Sequence, residues 1–162
     1  MRRLASFLRD SRGSAAAEMA MVIPLLLALT FTTLEGAHYL YVEHQIVKGV
    51  RDGARFGARK SFASFTCSTV DATTETLIKE VTRTGTISGG TSRVSGWTNN
   101  EITVTPSCPA TAVTTGIYST LSNAPRITVK AVVPYPSLFG ALTGMNVNVK
   151  VAAQDQAAVM GV

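Results

Sequence analysis

Few side chains in this 162-residue sequence are spaced for chemistry. Acyl transfer needs a nucleophile beside a base, and no G-x-S-x-G or Cys–His arrangement with a positioning third group is present. Phosphoryl transfer needs a glycine cradle with a lysine, and no such loop occurs. Metal hydrolysis commonly uses H-E-x-x-H, which is also missing. Glu35 and His38 form a single Glu-x-x-His pair of the kind used in di-iron bundles, but the other ligands have no counterpart. The expectation is no enzyme, no cofactor and no metal. Two placements remain informative. Glu18 stands inside an otherwise apolar run, and Cys67 and Cys108 are the only cysteines.

Glu18 matters because a charge within a membrane-spanning helix costs at least ~2.5 kcal/mol and usually marks a function and a partner. The run from Ser14 to Leu34 reads SAAAEMAMVIPLLLALTFTTL. Roughly 20 apolar residues at ~1.5 Å each cross a bilayer core of about 30 Å. The run carries much of the chain's hydrophobicity, which is 46% of residues with a mean hydropathy of +0.22. Ahead of it lie Arg2, Arg3, Arg9 and Arg12 against Asp10. A short basic flank of that kind stays in the cytoplasm, so the remainder is expected outside it. The apolar stretch exceeds an ordinary secretory h-region, and no clean small-x-small site follows it. Pro24 within the run implies a kink or a local irregularity.

Glu18 also lies five residues after Gly13. If the Gly13–Ser14 bond were cut, Glu18 would be the fifth residue of the new chain. This looks like the type IV prepilin pattern: a basic leader, Gly before the cut, Glu five residues later, then an uninterrupted apolar stretch. The resemblance implies cleavage by a prepilin peptidase. It also implies that Glu18 meets the free amine of a neighbouring subunit during assembly. A carboxylate–ammonium pair in low dielectric offsets part of the cost of burying both charges.

The helical pattern continues to Lys60, with Leu34, Tyr39, Val42, Ile46 and Val50 at helical spacing. Tyr39 and Tyr41 fall where an interfacial aromatic belt is expected. Gly49, Gly53 and Gly57 share one face, where small residues allow close approach by another element. Arg51, Arg55 and Arg59 line a neighbouring face, read either as a solvated face or as a docking stripe for an acidic partner or lipid headgroups. The segments Glu18–Leu27, Leu34–Gly36, Leu40–Val42 and Val50–Ala58 together resemble the TadE-like family, small pilin-related proteins of the tight-adherence (Flp) pilus system. The resemblance is strong over Gly13–Lys60, weaker but traceable near the C-terminus, and absent over about Ser61–Asn123. It implies a minor pilin or pseudopilin for pilus assembly and surface adhesion, with prepilin peptidase, other pilins, pilus assembly proteins and the lipid bilayer as partners. The implied location is the bacterial inner membrane, single-pass, with the C-terminal domain periplasmic, and a place in the pilus after processing. The competing reading is an uncleaved, signal-anchored extracytoplasmic binding module.

The expected organisation is a leader over 1–13, a transmembrane and juxtamembrane helix over 14–60, and an exported α+β domain over 61–162. That head is expected to hold one helix and a small antiparallel sheet. Ser68 followed by Asp71 reads as the start of a helix with Val70, Leu77, Ile78 and Val81 on its apolar face, and Gly85 ends it. Thr86–Asn100 reads as a loop around the lone Trp97. Strands are expected over Glu101–Thr105, Arg126–Val133 and Asn146–Ala152, with Ile127, Val129, Val147, Val149 and Val151 facing inward. The connection between the last two exposes Leu138–Leu142, as a folded-back loop or a partner contact. In an exported domain Cys67 and Cys108 are most simply a disulfide, with two free thiols as the other reading. Nucleic acid is not an expected partner. The leader holds four Arg and one Asp, so its removal lowers the formal charge from +5 to +2.

Overall fold

The computed structural model describes residues 12–109, 116–119, 121, 123–140 and 148–161. The leader through Ser11 lies outside these residues. A long helix, α1, spans Arg12–Ala58, and a second helix, α2, spans Ala72–Thr84. Three strands follow, β1 (Ile102–Ser107), β2 (Arg126–Pro134) and β3 (Lys150–Ala158). They form one antiparallel sheet in the order β1-β2-β3. The architecture is α+β. The chain divides into two compact units, residues through His38 and Tyr39–Val162, so the C-terminal part of α1 belongs to the head.

In the first unit, α1 passes through Pro24 without a break in its assignment. It is the one described helix long and apolar enough to cross a membrane, and none of its most apolar window is buried within the chain. The threonines in that stretch bond back to their own helix. Thr30 and Thr32 donate to the carbonyls of Leu26 and Ala28 at 2.7 Å, and Thr33 donates to Thr30 at 2.8 Å. Hydroxyls satisfied this way leave no polar group seeking water, which is the condition for a helix in lipid.

In the head, β2 is the central strand. Ile127, Val129, Ala131 and Val133 alternate inward and are fully buried. They pack with Val42, Ile46 and Val50 of α1, Ile78 of α2 and Trp97 in one core. β1 runs one residue later at its start and two at its end than the pattern suggests. It takes in Pro106, which an edge strand tolerates because its outer N–H position needs no partner. Glu101 falls instead in a 3-10 turn, Asn99–Glu101.

Two local expectations need correction. Asp71, not Ser68, caps α2, and its carboxylate accepts from the Thr74 amide at 3.0 Å. Ser68 sits in a preceding turn organised by the Thr66 hydroxyl, which contacts Thr69 Oγ1 at 2.7 Å. The last strand is Lys150–Ala158, not Asn146–Ala152. β2 offers nine residues for pairing, and the register from Arg126↔Ala158 to Pro134↔Lys150 uses all of them. Val151 is buried, whereas Val149 precedes the strand and is 37% exposed. Val147 and the residues 141–147 of the connection lie outside the described residues. At the other end of α2, Gly85 takes φ 85° and its amide donates to Val81 at 2.8 Å. A left-handed cap of that kind favours glycine.

Candidate assembly surface

The features singled out in the sequence fall on three parts of the structure. The first is the exposed apolar face of α1. Met21, Leu25 and Leu29 are more than 60% exposed, and Glu18 is exposed among them. Gly13 and Ser14 lie in the helical backbone of the same element.

The second is the contact between α1 and the rest of the head. Gly49, Gly53 and Gly57 are buried. A Cβ at Gly49 would lie 2.5 Å from the Thr82 carbonyl and 2.8 Å from the Trp97 ring. A Cβ at Gly53 would run into the Thr82 hydroxyl, and one at Gly57 would lie 2.8 Å from Ile127 Cδ1. Thr82 is itself fully buried and donates to the Ile78 carbonyl at 2.7 Å. The glycine face is therefore filled from within the chain, by α2, Trp97 and β2. Tyr39 is likewise drawn into the head. Its ring meets Tyr135 edge-on at 5.3 Å, while Tyr41 remains 59% exposed.

The third is the outward face of α1. Arg51, Arg55 and Arg59 are exposed, and Lys48 continues the same face one turn earlier. Asp52 turns aside to Arg93, with Oδ2 2.6 Å from Nη2. That ion pair joins residues 41 apart in sequence, and no local pattern announces it. Neither does the sequence reveal Trp97 as a core anchor. It is 2% exposed in a polar loop, and only its being the single tryptophan hints at the role. Its Nε1 and Arg93 Nη1 are buried with no acceptor among the described residues.

Cys67 and Cys108 form a disulfide with their Cα atoms 5.1 Å apart. It ties the segment before α2 to the residue after β1. Ahead of β1, Thr98 and Glu101 form a reciprocal cap. The Thr98 hydroxyl donates to Glu101 Oε2 at 2.6 Å and the Thr98 amide at 2.8 Å, and these bonds hold the carboxyl below its ordinary 4.5 despite some opposing desolvation. No group of three or more potential metal ligands occurs among the described residues.

The described residues thus hold one helix long and apolar enough to cross a membrane and a disulfide-linked α+β head. Residues 13–55 match the family model described as TadE: TadE-like protein. That segment is similar to the TadE-like family, and the similarity suggests a protein related to the Tad pilus, with pilin-related partners and membrane association. No curated protein and no solved structure matches the chain.

Proposed function

We propose that this chain is a minor pilin or pseudopilin of a tight-adherence pilus, made as a precursor and cut between Gly13 and Ser14 by a prepilin peptidase. The observation that carries this reading is the TadE-like match beginning at Gly13 and covering the apolar helix. The geometry is compatible with it. Gly13 and Ser14 lie in α1, and Gly weakens a helix by about 1 kcal/mol relative to Ala, which lowers the cost of an extended, cleavable backbone there.

After the cut, Ser14 carries a free ammonium group. Glu18 then lies one helical turn along the apolar face, where it receives the ammonium group of a neighbouring subunit. Its role is assembly and not catalysis. The head is exported and contributes to surface adhesion.

Mass spectrometry of the N-terminus tests the cut directly. Protein extracted from cells with an active prepilin peptidase is expected to begin at Ser14. Gly13→Ala is expected to leave Met1 in place or slow processing severely. Glu18→Ala is expected to be processed yet fail to enter assemblies. An intact N-terminus in wild-type protein rejects the processing step, and normal assembly of Glu18→Ala rejects the role given to its carboxylate.

A further inference from the structure

An open groove of ≈1000 Å³ crosses the head beside the outward face of α1. Its walls include Phe56, Val81, Ile87, Ile117, Tyr118 and Met160. Ile87, Ile117 and Met160 are 59%, 55% and 45% exposed. One exposed aliphatic side chain is ordinary, but several around one concavity mark a surface that binds something.

Charge narrows what that is. Arg55 and Arg59 stand on the rim, and both are exposed. The one acid in the lining, Asp52, is already paired with Arg93. Among the described residues, no ion pair engages Arg51, Arg55 or Arg59. The groove thus joins an apolar floor to an uncompensated positive edge. Arginine, aromatic and methionine side chains are the types enriched in protein–protein interfaces. A second copy of the chain is a weaker match. Glu75 and Glu80 are held by Lys79 and Arg83, Asp71 caps α2, and Glu101 is bonded by Thr98, which leaves Glu43 and Asp155 in the head, one on α1 and one on β3, and no run of acids on one amphipathic segment.

We infer that this groove docks an amphipathic, acidic segment of another protein. Its apolar anchors, at helical spacing, enter between Phe56, Ile87 and Met160. Its flanking Asp or Glu side chains meet Arg55 and Arg59. Such helix-in-groove recognition draws affinity from the anchors and specificity from the charged rim.

The test uses the full chain in nanodiscs of zwitterionic phosphatidylcholine. The probe is a short, fluorescein-labelled synthetic helix with Leu on one face and Glu on the other, followed by anisotropy. A twin peptide with Lys in place of Glu is the comparison. The acidic peptide is expected to bind at least ~10-fold tighter than its twin, and added salt is expected to weaken it. Arg55→Glu with Arg59→Glu is expected to remove that preference, while Arg55→Lys with Arg59→Lys keeps most of it. Ile87→Asp is expected to cost a similar factor without touching the rim. Circular dichroism and melting identify any variant that fails to fold, and Ile87→Asp stands independently of the arginine pair.

Equal binding of the two peptides overturns the inference, as does wild-type affinity in the folded arginine variant. Binding of anionic phosphatidylglycerol vesicles through Arg55 and Arg59, without peptide binding, assigns the face to lipid and overturns it. Self-association that the arginine variant abolishes assigns it to a second copy and overturns it equally.

Discussion

At the residue scale, the glycines of α1 show how a side chain's absence holds two elements together. Each interior Gly costs about 1 kcal/mol of helix propensity, so removing one would ordinarily help the helix. Here the space it leaves is occupied. The neighbours at Gly49 are a backbone carbonyl and an indole ring, neither of which yields easily. At Gly53 the obstacle is a buried hydroxyl already committed to Ile78. At Gly57 the obstacles are the tips of Ile127 and Ile78, which are flexible. Overpacking at Gly49→Ala and Gly53→Ala is expected to cost roughly 1–3 kcal/mol against a propensity gain of about 1 kcal/mol, so each destabilises the head by up to about 2 kcal/mol, and Gly57→Ala by less. Gly36→Ala, with nothing within 4 Å of the added carbon, is expected to be tolerated. Thermal melting of the four variants gives the order. Thr82→Ala is expected to rescue Gly53→Ala and leave Gly49→Ala unrescued, and the reverse pattern would reject this account. The shared face of the glycines was legible from their four-residue spacing. Their partners were not, because Thr82 and Trp97 carry no signal that they pack on a helix some thirty to fifty residues earlier.

At the element scale, legibility followed the strength of each hydrophobic alternation. β2 reads plainly because Ile127, Val129, Ala131 and Val133 all face the core of a central strand. β3 does not. Most of it is Ala, Gln and Asp, since its outer face meets solvent and only Val151 is fully buried. The Val-Asn-Val-Lys-Val alternation just upstream is the stronger local signal, so the expected strand slid toward it. Pairing along all nine residues of β2 overrode that preference. The cap of α2 failed for a smaller reason. Ser68 and Asp71 are both good caps, and the Thr66 turn claimed the first.

The disulfide belongs to this scale as well, because it joins the segment before α2 to the residue after β1. Cys67 is exposed and Cys108 half-buried, and they stand 41 positions apart in the sequence. In the chain-entropy model, closing a loop of that length stabilises the fold by about 4 kcal/mol. Small domains have total stabilities of roughly 5–15 kcal/mol, so the bond carries a large fraction. Cys67→Ser with Cys108→Ser is expected to lower the denaturation midpoint by an amount that corresponds to several kcal/mol. Reductant is expected to reproduce this in the wild type and do nothing further to the double variant. A midpoint unchanged by either treatment would show that the linkage constrains an already ordered loop.

At the scale of the whole molecule, the sequence separates two tasks along one helix. Residues before Tyr39 present apolar side chains outward, and residues after it turn Val42, Ile46 and Val50 into a core. Hydrophobic length alone does not orient such a helix. The proposed orientation rests on the four arginines ahead of Gly13 against one aspartate, a balance that by the positive-inside rule favours keeping that end in the cytoplasm. In that proposed orientation Cys67 and Cys108 would meet an oxidising compartment, where their bond would persist. A reporter active only outside the cytoplasm, such as alkaline phosphatase fused after Val162, is therefore expected to be active. Neutralising Arg2, Arg3, Arg9 and Arg12 to Gln is expected to reduce its activity and raise the fraction of chains with reduced cysteines. The two readouts must move together, because both report the side of the membrane on which the head folds. Full activity with permanently reduced cysteines would separate the disulfide from topology, and an inactive fusion in the wild type would place the head in the cytoplasm and remove the export step from the proposed function.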